Sequence, residues 1–326
     1  MATKEVLKHG ESYVPEINDA DTSEFGKYET YSRDKIDEKV KNVAVSSGYD
    51  WSGRKICFEG DSLTGNATMG YPAYVAEQTD ATAVNIAIGG KAVYPNEVGA
   101  KCDFRRRVSS IPADVDAIII LGDCNGNILM DASQSYSVDP TEWGGRWNLA
   151  LDAIKRSFPT VPVILCLEWV GSFNSNHSKH GAEAFWKFSN NHGLIYVNLM
   201  IESPLNLRYA ASVWGLNDND QVHTNHEAMP LFADVIIRKL KEIPPFQWTG
   251  SDTLTLTTTE LTVAAGATAE IEYTIAGDLS IQWTSDNMDV ACVMGGVVYG
   301  MAAGTATITA TTRNGNTATC TVTVTE

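Results

Sequence analysis

The chain has 326 residues, of which 44% are hydrophobic and 20% are charged, and its formal net charge at pH 7 is −16. This length exceeds one ordinary compact domain and predicts two domains with an additional arm. The negative charge argues against a nucleic acid or an anionic membrane as partner, because phosphate contacts need clustered Lys and Arg. No stretch approaches the roughly 18 apolar residues of a membrane span, and the first residues lack the apolar core of a secretory signal, so we expect the chain to be made and released in a cytoplasm.

Residues 1–53 are polar and interrupted by Gly, Pro and Asp. Their one helical candidate, residues 32–45, has an apolar stripe too thin to form a core by itself. We therefore predict an arm that attaches the protein to other components or joins copies of the chain, with a trimer as one option. A flexible tail is the alternative.

Residues 54–245 alternate short apolar runs with amphipathic segments. Short buried strands that alternate with helices form a parallel sheet covered on both faces, so this pattern predicts an α/β domain. The cluster Arg105–Arg107 is expected to be a solvated face. The predicted strands are Lys55–Phe58, Ala83–Ala87, Ala117–Leu121, Val161–Leu167 and Leu194–Val197, and the predicted helices are Tyr71–Gln78, Trp147–Ser157, Gly181–Asn191 and Glu227–Ile243.

Residues 246–326 differ sharply from the preceding region: they are rich in Thr, and Arg313 is their only basic residue. Residues 305–310 and 319–324 alternate Thr with apolar residues and are rich in β-branched side chains, which predicts half-buried strands. Residues 313–316, Arg-Asn-Gly-Asn, form a hairpin turn signal between those two runs. About seven short strands fit this region, which indicates a β-sandwich.

The six cysteines have no CxxC spacing and no His at metal-ligand distance, so no metal site is predicted. A disulfide between Cys292 and Cys320 stays open, although a cytoplasm would keep both thiols reduced. Trp143 and Trp147 could stack on sugar rings or belong to the core.

A serine stands where the first predicted strand ends, in the sequence Gly60-Asp61-Ser62. It is expected at the carboxyl edge of the sheet, where α/β proteins bind their ligands. The turn would also direct backbone N–H groups toward an oxyanion formed there. Because a serine after Gly-Asp can also be a helix cap, other residues must distinguish the two roles.

A carboxylate and an imidazole, Asp220 and His223, lie three residues apart before the last predicted helix. A serine becomes a nucleophile when a neighbouring base takes its proton, and Ser, Asp and His are the parts of a hydrolase triad. Two further polar segments, residues 85–90 and 121–127, each follow a predicted strand.

These four segments, in this order, resemble the blocks of the SGNH, or GDSL-like, hydrolase family over residues 54–245. The resemblance implies a flavodoxin-like three-layer α/β/α sandwich and a reaction without a cofactor. It implies that Ser62 is the nucleophile, His223 the base and Asp220 the carboxylate that orients it. Gly90 matches the second-block glycine, whose N–H helps to hold the oxyanion together with that of Ser62.

The third block departs from the family pattern Gly-x-Asn-Asp, because Gly122 is followed by Asp123, Cys124 and Asn125. Strict alignment places Cys124, a weak hydrogen-bond donor, at the oxyanion asparagine. Asn125 serves after a shift of one residue and is the predicted third donor, with Asn127 as the second choice. Loss of one such donor lowers the rate by about 10²–10³-fold.

The C-terminal region resembles the bacterial Ig-like domain of group 2, through the strand around Trp283 and the segment Val297–Ile308 with its Gly-Thr-Ala-Thr-Ile end. Such modules are spacers or adhesion domains on surface proteins and on phage virions. No catalytic group is expected there.

Together these features predict a serine esterase that removes O-acetyl groups from a host surface carbohydrate, as part of a phage virion assembled in the host cytoplasm. Its partners would be the glycan and, through the N-terminal arm, other virion proteins. An extracellular or cell-surface location is the alternative setting. The alternative function is a non-catalytic glycan-binding or structural virion protein that keeps the hydrolase fold.

Overall fold

The structure is a computed structural model that describes residues 48–65, 70–89, 107–122, 137, 139, 142–167, 175–203 and 229–326. Residues 48–326 form one compact unit, which contains an α/β domain followed by an all-β domain. Of the predicted arm, residues 1–53, only 48–53 are among the described residues. In this short stretch the Trp51 indole donates to the Leu240 carbonyl at 2.7 Å, so it packs against the last helix of the α/β domain.

Five parallel strands form the sheet of the α/β domain, in the order β2-β1-β3-β4-β5. This is the flavodoxin-like order, in which the direction of winding reverses between β1 and β3. The predicted fold class is therefore confirmed. The strands are β1 (Lys55–Gly60), β2 (Thr82–Asn85), β3 (Ala117–Gly122), β4 (Val163–Leu167) and β5 (Ile195–Asn198).

Helices lie on both faces of this sheet, which makes three layers. On one face Cys57, Ile118 and Leu165 pack in a core shared with the third and fourth helices. On the other, Tyr71 of the second helix contacts the sheet and also Phe232 of the sixth helix, at a centroid distance of 5.3 Å. The described helices are α1 (Ser62–Gly65), α2 (Tyr71–Thr79), α3 (Trp143–Ser157), α4 (Ser175–His192), α5 (Leu199–Glu202) and α6 (Met229–Glu242).

The two tryptophans that could have stacked on sugars are part of this core. Trp147 is fully buried with its ring centroid 5.2 Å from that of Phe185, and Trp143 lies 5.3 Å from Phe188. Helix α3 begins at Trp143 rather than at the predicted Trp147, because the two glycines after Trp143 have a low helix propensity that hides the first turn. One of them, Gly145, touches a neighbouring backbone so closely that a side chain would not fit.

The all-β domain has nine strands, where about seven were predicted. They form sheets of four, three and two strands around a core that includes Trp283, Ile308 and Val322. The predicted hairpin turn is present, with the Gly315 N–H donating to the Thr312 carbonyl at 3.0 Å. The strands are β6 (Asp252–Leu256), β7 (Glu260–Ala264), β8 (Thr268–Glu270), β9 (Tyr273–Gly277), β10 (Ile281–Ser285), β11 (Ala291–Met294), β12 (Val297–Gly300), β13 (Gly304–Thr312) and β14 (Thr317–Thr325).

The two cysteines of this domain do not form the disulfide that the sequence left open. Cys292 and Cys320 are both buried, and neither belongs to a disulfide. The Cys292 thiol donates to the Met288 carbonyl at 3.1 Å instead.

An apolar contact joins the two domains. Met294, at the end of β11, packs into the core beside α3 and α4. The next residue, Gly295, has a φ of 60° and lies so close to α3 that a Cβ atom would be 2.9 Å from the Cα atom of Ala153. Glycine is the residue that tolerates both this conformation and this approach.

A buried carboxylate adds polar bonds to the same interface. Asp116, which precedes β3, accepts hydrogen bonds from the Lys55 amide at 2.8 Å, from Arg313 at 3.1 Å and from the Trp248 indole. Arg54 lies 3.4 Å from it, and the Arg313 guanidinium stacks 3.6 Å from the centroid of the Trp248 ring. We call these five residues the Asp116 cluster. Because Arg54, Lys55 and Asp116 belong to the α/β domain and Arg313 to the Ig-like domain, the cluster ties the two domains together.

Candidate active site

Ser62 lies at the carboxyl edge of the sheet, as predicted. Strand β1 ends at Gly60, Asp61 follows, and α1 begins at Ser62. Since β1 pairs with β2 on one side and with β3 on the other, Ser62 lies at the point where the strand order reverses. Ligands of open α/β sheets bind in the crevice at this point.

Asp61 fixes the turn that carries Ser62. Its side chain is fully buried and accepts the Leu63 N–H at 2.9 Å. Its carbonyl accepts the Gly65 N–H at 2.7 Å and the Thr64 N–H at 3.2 Å. The amides of residues 63–65 are therefore bonded back to Asp61, so an oxyanion at Ser62 needs other donors.

Thr64 anchors α1 to the surrounding structure. Its hydroxyl is 3.0 Å from the Tyr71 hydroxyl, and its carbonyl accepts the Asn85 side-chain amide at 2.9 Å. Burial raises the pKa of Tyr71 well above its usual range, so this phenol is neutral. The turn is thus held by one residue of α2 and one of β2.

The loop after β2 runs beside Ser62. The Ile86 and Ile88 amides donate to the β1 carbonyls of Phe58 and Gly60, at 2.9 and 3.2 Å, and so continue the pairing beyond β2. This pairing brings Gly89 next to the nucleophile turn, where a Cβ atom on Gly89 would be 3.7 Å from the Cβ atom of Ser62. The backbone of the second block therefore reaches Ser62 one residue before the predicted oxyanion residue, Gly90.

A buried ion pair lies behind this turn. Arg107 Nη1 is 2.8 Å from a carboxylate oxygen of Glu59 in β1, and it donates to the Gly60 carbonyl at 3.0 Å. Burial raises the pKa of Glu59 to about 8, and the charge of Arg107 opposes this shift. The expectation that the cluster Arg105–Arg107 is a solvated face is wrong for Arg107, because its side chain is only 4% exposed. We call these two residues the Glu59–Arg107 pair.

Sequence reasoning missed this pair, although a signal was present. Glu59 is a charged residue directly after an apolar strand run, and a charge in a buried strand requires a partner of opposite sign. Arg107 belongs to the only dense basic cluster of the sequence, Arg105–Arg107, which lies between Glu59 and β3. Only the folded chain shows that the two meet.

A histidine at the other edge of the sheet is excluded as the base. His192 ends α4 immediately before β5, on the amino side of the strands. Its Nδ1 is 3.0 Å from Asp152, and its Nε2 is 2.8 Å from Asn148. This His–carboxylate pair joins α3 to α4 and is remote from Ser62.

Of the predicted site residues, Ser62 is described and the others are not. Gly90, Asn125, Asp220 and His223 lie outside the described residues, as does Cys124. Gly122, which opens the third block, is the last residue of β3 and pairs with Leu167 of β4. The third block therefore begins at the same edge of the sheet as Ser62.

Within the ranges that the structure describes, no group of three or more His, Cys, Asp or Glu side chains could hold a metal ion. In the same ranges, every helix is too short or too polar to cross a membrane.

Comparison with known proteins bears on both domains. Residues 252–322 match the family model of the bacterial Ig-like domain (group 2). A crystal structure from Lactobacillus plantarum is similar with 19% identity and a TM-score of 0.50, over 58% of this chain and 97% of that chain. No curated protein matches the chain.

Two further structures are similar to this chain at lower TM-scores. A Slackia heliotrinireducens protein assigned to the SGNH hydrolases has 16% identity and a TM-score of 0.39, over 58% of this chain and 100% of that chain. A tail fiber protein of an E. coli phage has 11% identity and a TM-score of 0.37, over 85% of this chain and 36% of that chain. Residues 252–322 are thus a bacterial Ig-like domain of group 2, and they follow an α/β domain whose fold is shared with the Lactobacillus plantarum protein.

Proposed function

We propose that the α/β domain is an SGNH-type serine esterase with Ser62 as its nucleophile. The observation that carries the proposal is the position of Ser62. It follows the interior strand β1, at the reversal of strand order, in a turn held by Asp61 and directly beside the backbone of Gly89. A serine at a place where a ligand binds, with a fixed turn and a neighbouring backbone segment, fits a nucleophile better than a surface helix cap.

The reaction would proceed by acyl transfer. Ser62 Oγ attacks the ester carbonyl while His223, oriented by Asp220, takes the hydroxyl proton. The proton then passes to the leaving sugar hydroxyl, and water hydrolyses the acyl-serine with the same base. Because Asp61 already binds the amides of residues 63–65, we assign the oxyanion to the N–H groups of Ser62 and Gly90 and to the side chain of Asn125.

We propose an O-acetylated surface carbohydrate as the substrate and a phage virion as the setting. The support is the attached domain: an Ig-like module of group 2, which resembles spacers and adhesion domains, is held to the α/β domain by the Asp116 cluster and by Met294. Such a coupling would present the esterase at a surface. Residues 1–53 would then bind other virion proteins or further copies of the chain. Purified virions that lack the protein would exclude this setting.

Substitution of the nucleophile tests the activity. We expect Ser62→Ala to abolish the hydrolysis of p-nitrophenyl acetate and the release of acetate from O-acetylated polysaccharide, with an unchanged melting temperature. The matched control is Ser52→Ala, because the Ser52 hydroxyl donates to the Asp80 carboxylate at 2.6 Å and Ser52 precedes β1, at the opposite edge of the sheet. That variant should keep full activity.

The contrary result separates the two candidate functions. The wild-type protein could bind the acetylated polysaccharide, release no acetate and hydrolyse no small acetyl ester. It would then be a glycan-binding protein with a hydrolase fold.

A further inference from the structure

One guanidinium group holds the last two residues of β1. Arg107 is ion-paired with Glu59 at 2.8 Å and bonded to the Gly60 carbonyl at 3.0 Å, and both charged side chains are almost completely buried. The next two residues of the chain are Asp61 and Ser62. The pair therefore lies directly behind the turn that carries the proposed nucleophile.

The Gly60 carbonyl is the point at which two parts of the site meet. It accepts both the Arg107 guanidinium and, at 3.2 Å, the Ile88 amide of the loop that passes beside Ser62. Gly60 itself has no room for a side chain, because a Cβ atom would collide with the Leu121 carbonyl of β3 and with Thr64. The peptide that enters the nucleophile turn is thus tightly enclosed by β3, α1, the β2 loop and Arg107.

Stability alone does not account for a buried pair at this place. Apolar residues of similar volume often replace a buried ion pair without loss of stability, since the desolvation of two charges is costly. What apolar residues cannot do is donate a hydrogen bond to the Gly60 carbonyl. The arginine supplies a charge for Glu59 and a directed donor for the backbone at once.

We propose that Arg107 is a positioning residue for the Ser62 nucleophile and that it acts through Glu59 and the Gly60 carbonyl. The proposal rests on the proposed esterase function. Arg107 fixes the peptide plane at Gly60, and this plane sets both the entry into the Asp61–Ser62 turn and the distance to the backbone of Gly89. Glu59 in turn holds the guanidinium in this orientation.

The rate of nucleophile labelling tests this role. A fluorophosphonate probe reacts with an activated serine, and its kinetics give a binding constant and a maximal rate separately. Because a displacement of about 1 Å can lower a rate by about 100-fold, we expect Arg107→Lys to reduce the maximal rate by about 10- to 100-fold. Glu59→Gln should do the same above about pH 8, where the Glu59 carboxyl group is ionised. The probe's binding constant should stay unchanged. A lysine keeps the charge but lacks the planar guanidinium that directs Nη1 toward both Glu59 and the Gly60 carbonyl.

A matched control comes from the other end of β1. Arg54 also pairs with a buried aspartate, Asp116, but it precedes the strand. Arg54→Lys should leave both kinetic constants unchanged. A second variant, Glu59→Leu with Arg107→Met, avoids an unpaired buried charge, so it should fold while it still lacks the bond to Gly60.

The outcomes separate the two proposals. Slow labelling of the folded double variant, with unchanged probe binding, supports the positioning role. The proposal would be overturned if this variant and the folded single variants are labelled at the wild-type rate. The pair would then serve only stability. If wild-type protein is not labelled at all, the esterase function fails, and the positioning role fails with it.

Discussion

The two ends of the parallel sheet each bury a carboxylate, and they do so in different ways. At the amino end, Asp116 is surrounded by donors from both domains: the Lys55 amide, Arg54, Arg313 and the Trp248 indole. At the carboxyl end, Glu59 is paired with Arg107. Burial raises the pKa of Glu59 to about 8. The first carboxylate has many hydrogen bonds, whereas the second is held by few.

This difference corresponds to two tasks. A carboxylate that accepts hydrogen bonds from several donors of both domains suits a permanent connection between them. A carboxyl group with a raised pKa next to a candidate nucleophile is typical of a functional site. Three substitutions test this contrast.

The largest effect is expected for Asp116→Ala. This change leaves Arg313, Arg54 and the Trp248 indole without their common acceptor, so we expect a loss of about 3–5 kcal/mol in the free energy of unfolding. Asp114→Ala is the control, because Asp114 pairs with Lys55 nearby but is 44% exposed, and it should cost less than about 1 kcal/mol. Urea denaturation measures both. Equal losses would mean that the Asp116 cluster has no special role.

A pH-dependent effect of intermediate size is expected at Glu59. Its pKa is raised in the folded protein to about 8, from an ordinary value of 4.5, so the folded protein binds its proton more tightly than the unfolded chain. This contribution to stability is complete below pH 4.5 and disappears as the pH rises through about 8. Relative to Glu59→Gln, the wild type should thus lose stability as the pH rises from about 5 to about 8.

The measurement is the difference in unfolding free energy between the two proteins at several pH values. A wild type that instead gains stability over Glu59→Gln as the pH rises would show that Arg107 outweighs burial. The carboxyl end of the sheet would then hold a well-stabilised ion pair, as the amino end does.

The smallest effect is expected at the Ig-like side of the interface. Arg313→Lys keeps the charge beside Asp116 but loses the planar stacking on Trp248, which should cost about 1 kcal/mol. The control is Arg156→Lys, because Arg156 pairs with Glu270 across the same interface but both side chains are exposed. That change should cost less than about 0.5 kcal/mol. A larger loss at Arg156 than at Arg313 would place the main connection elsewhere.

Local sequence patterns predicted most of the architecture. The five strand runs and the helix segments were recognisable because buried parallel strands and amphipathic helices have their own periods of hydrophobicity. The hairpin turn at residues 313–316 was recognisable because Asn-Gly tolerates positive φ values. The position of Ser62 followed from one rule, that the residue after a parallel strand lies at the ligand-binding edge.

Features that depend on contacts between distant residues were not predictable in this way. The sequence around Arg107 is a run of three arginines, whose local composition indicates a solvated surface, and only its contact with Glu59 in β1 buries it. Arg313 belongs to a turn and shows no local sign that it meets Asp116 of the other domain. The first turn of α3 was hidden by glycines that are needed for close packing.

The most direct test of the central claim, that Ser62 is an activated nucleophile, is to label the wild-type protein with a fluorophosphonate probe and to map the modified peptide by mass spectrometry. We expect one modified serine, Ser62, with no labelling of Ser62→Ala and full labelling of Ser52→Ala. Absence of labelling in the folded wild type, or modification at a different serine, would contradict it.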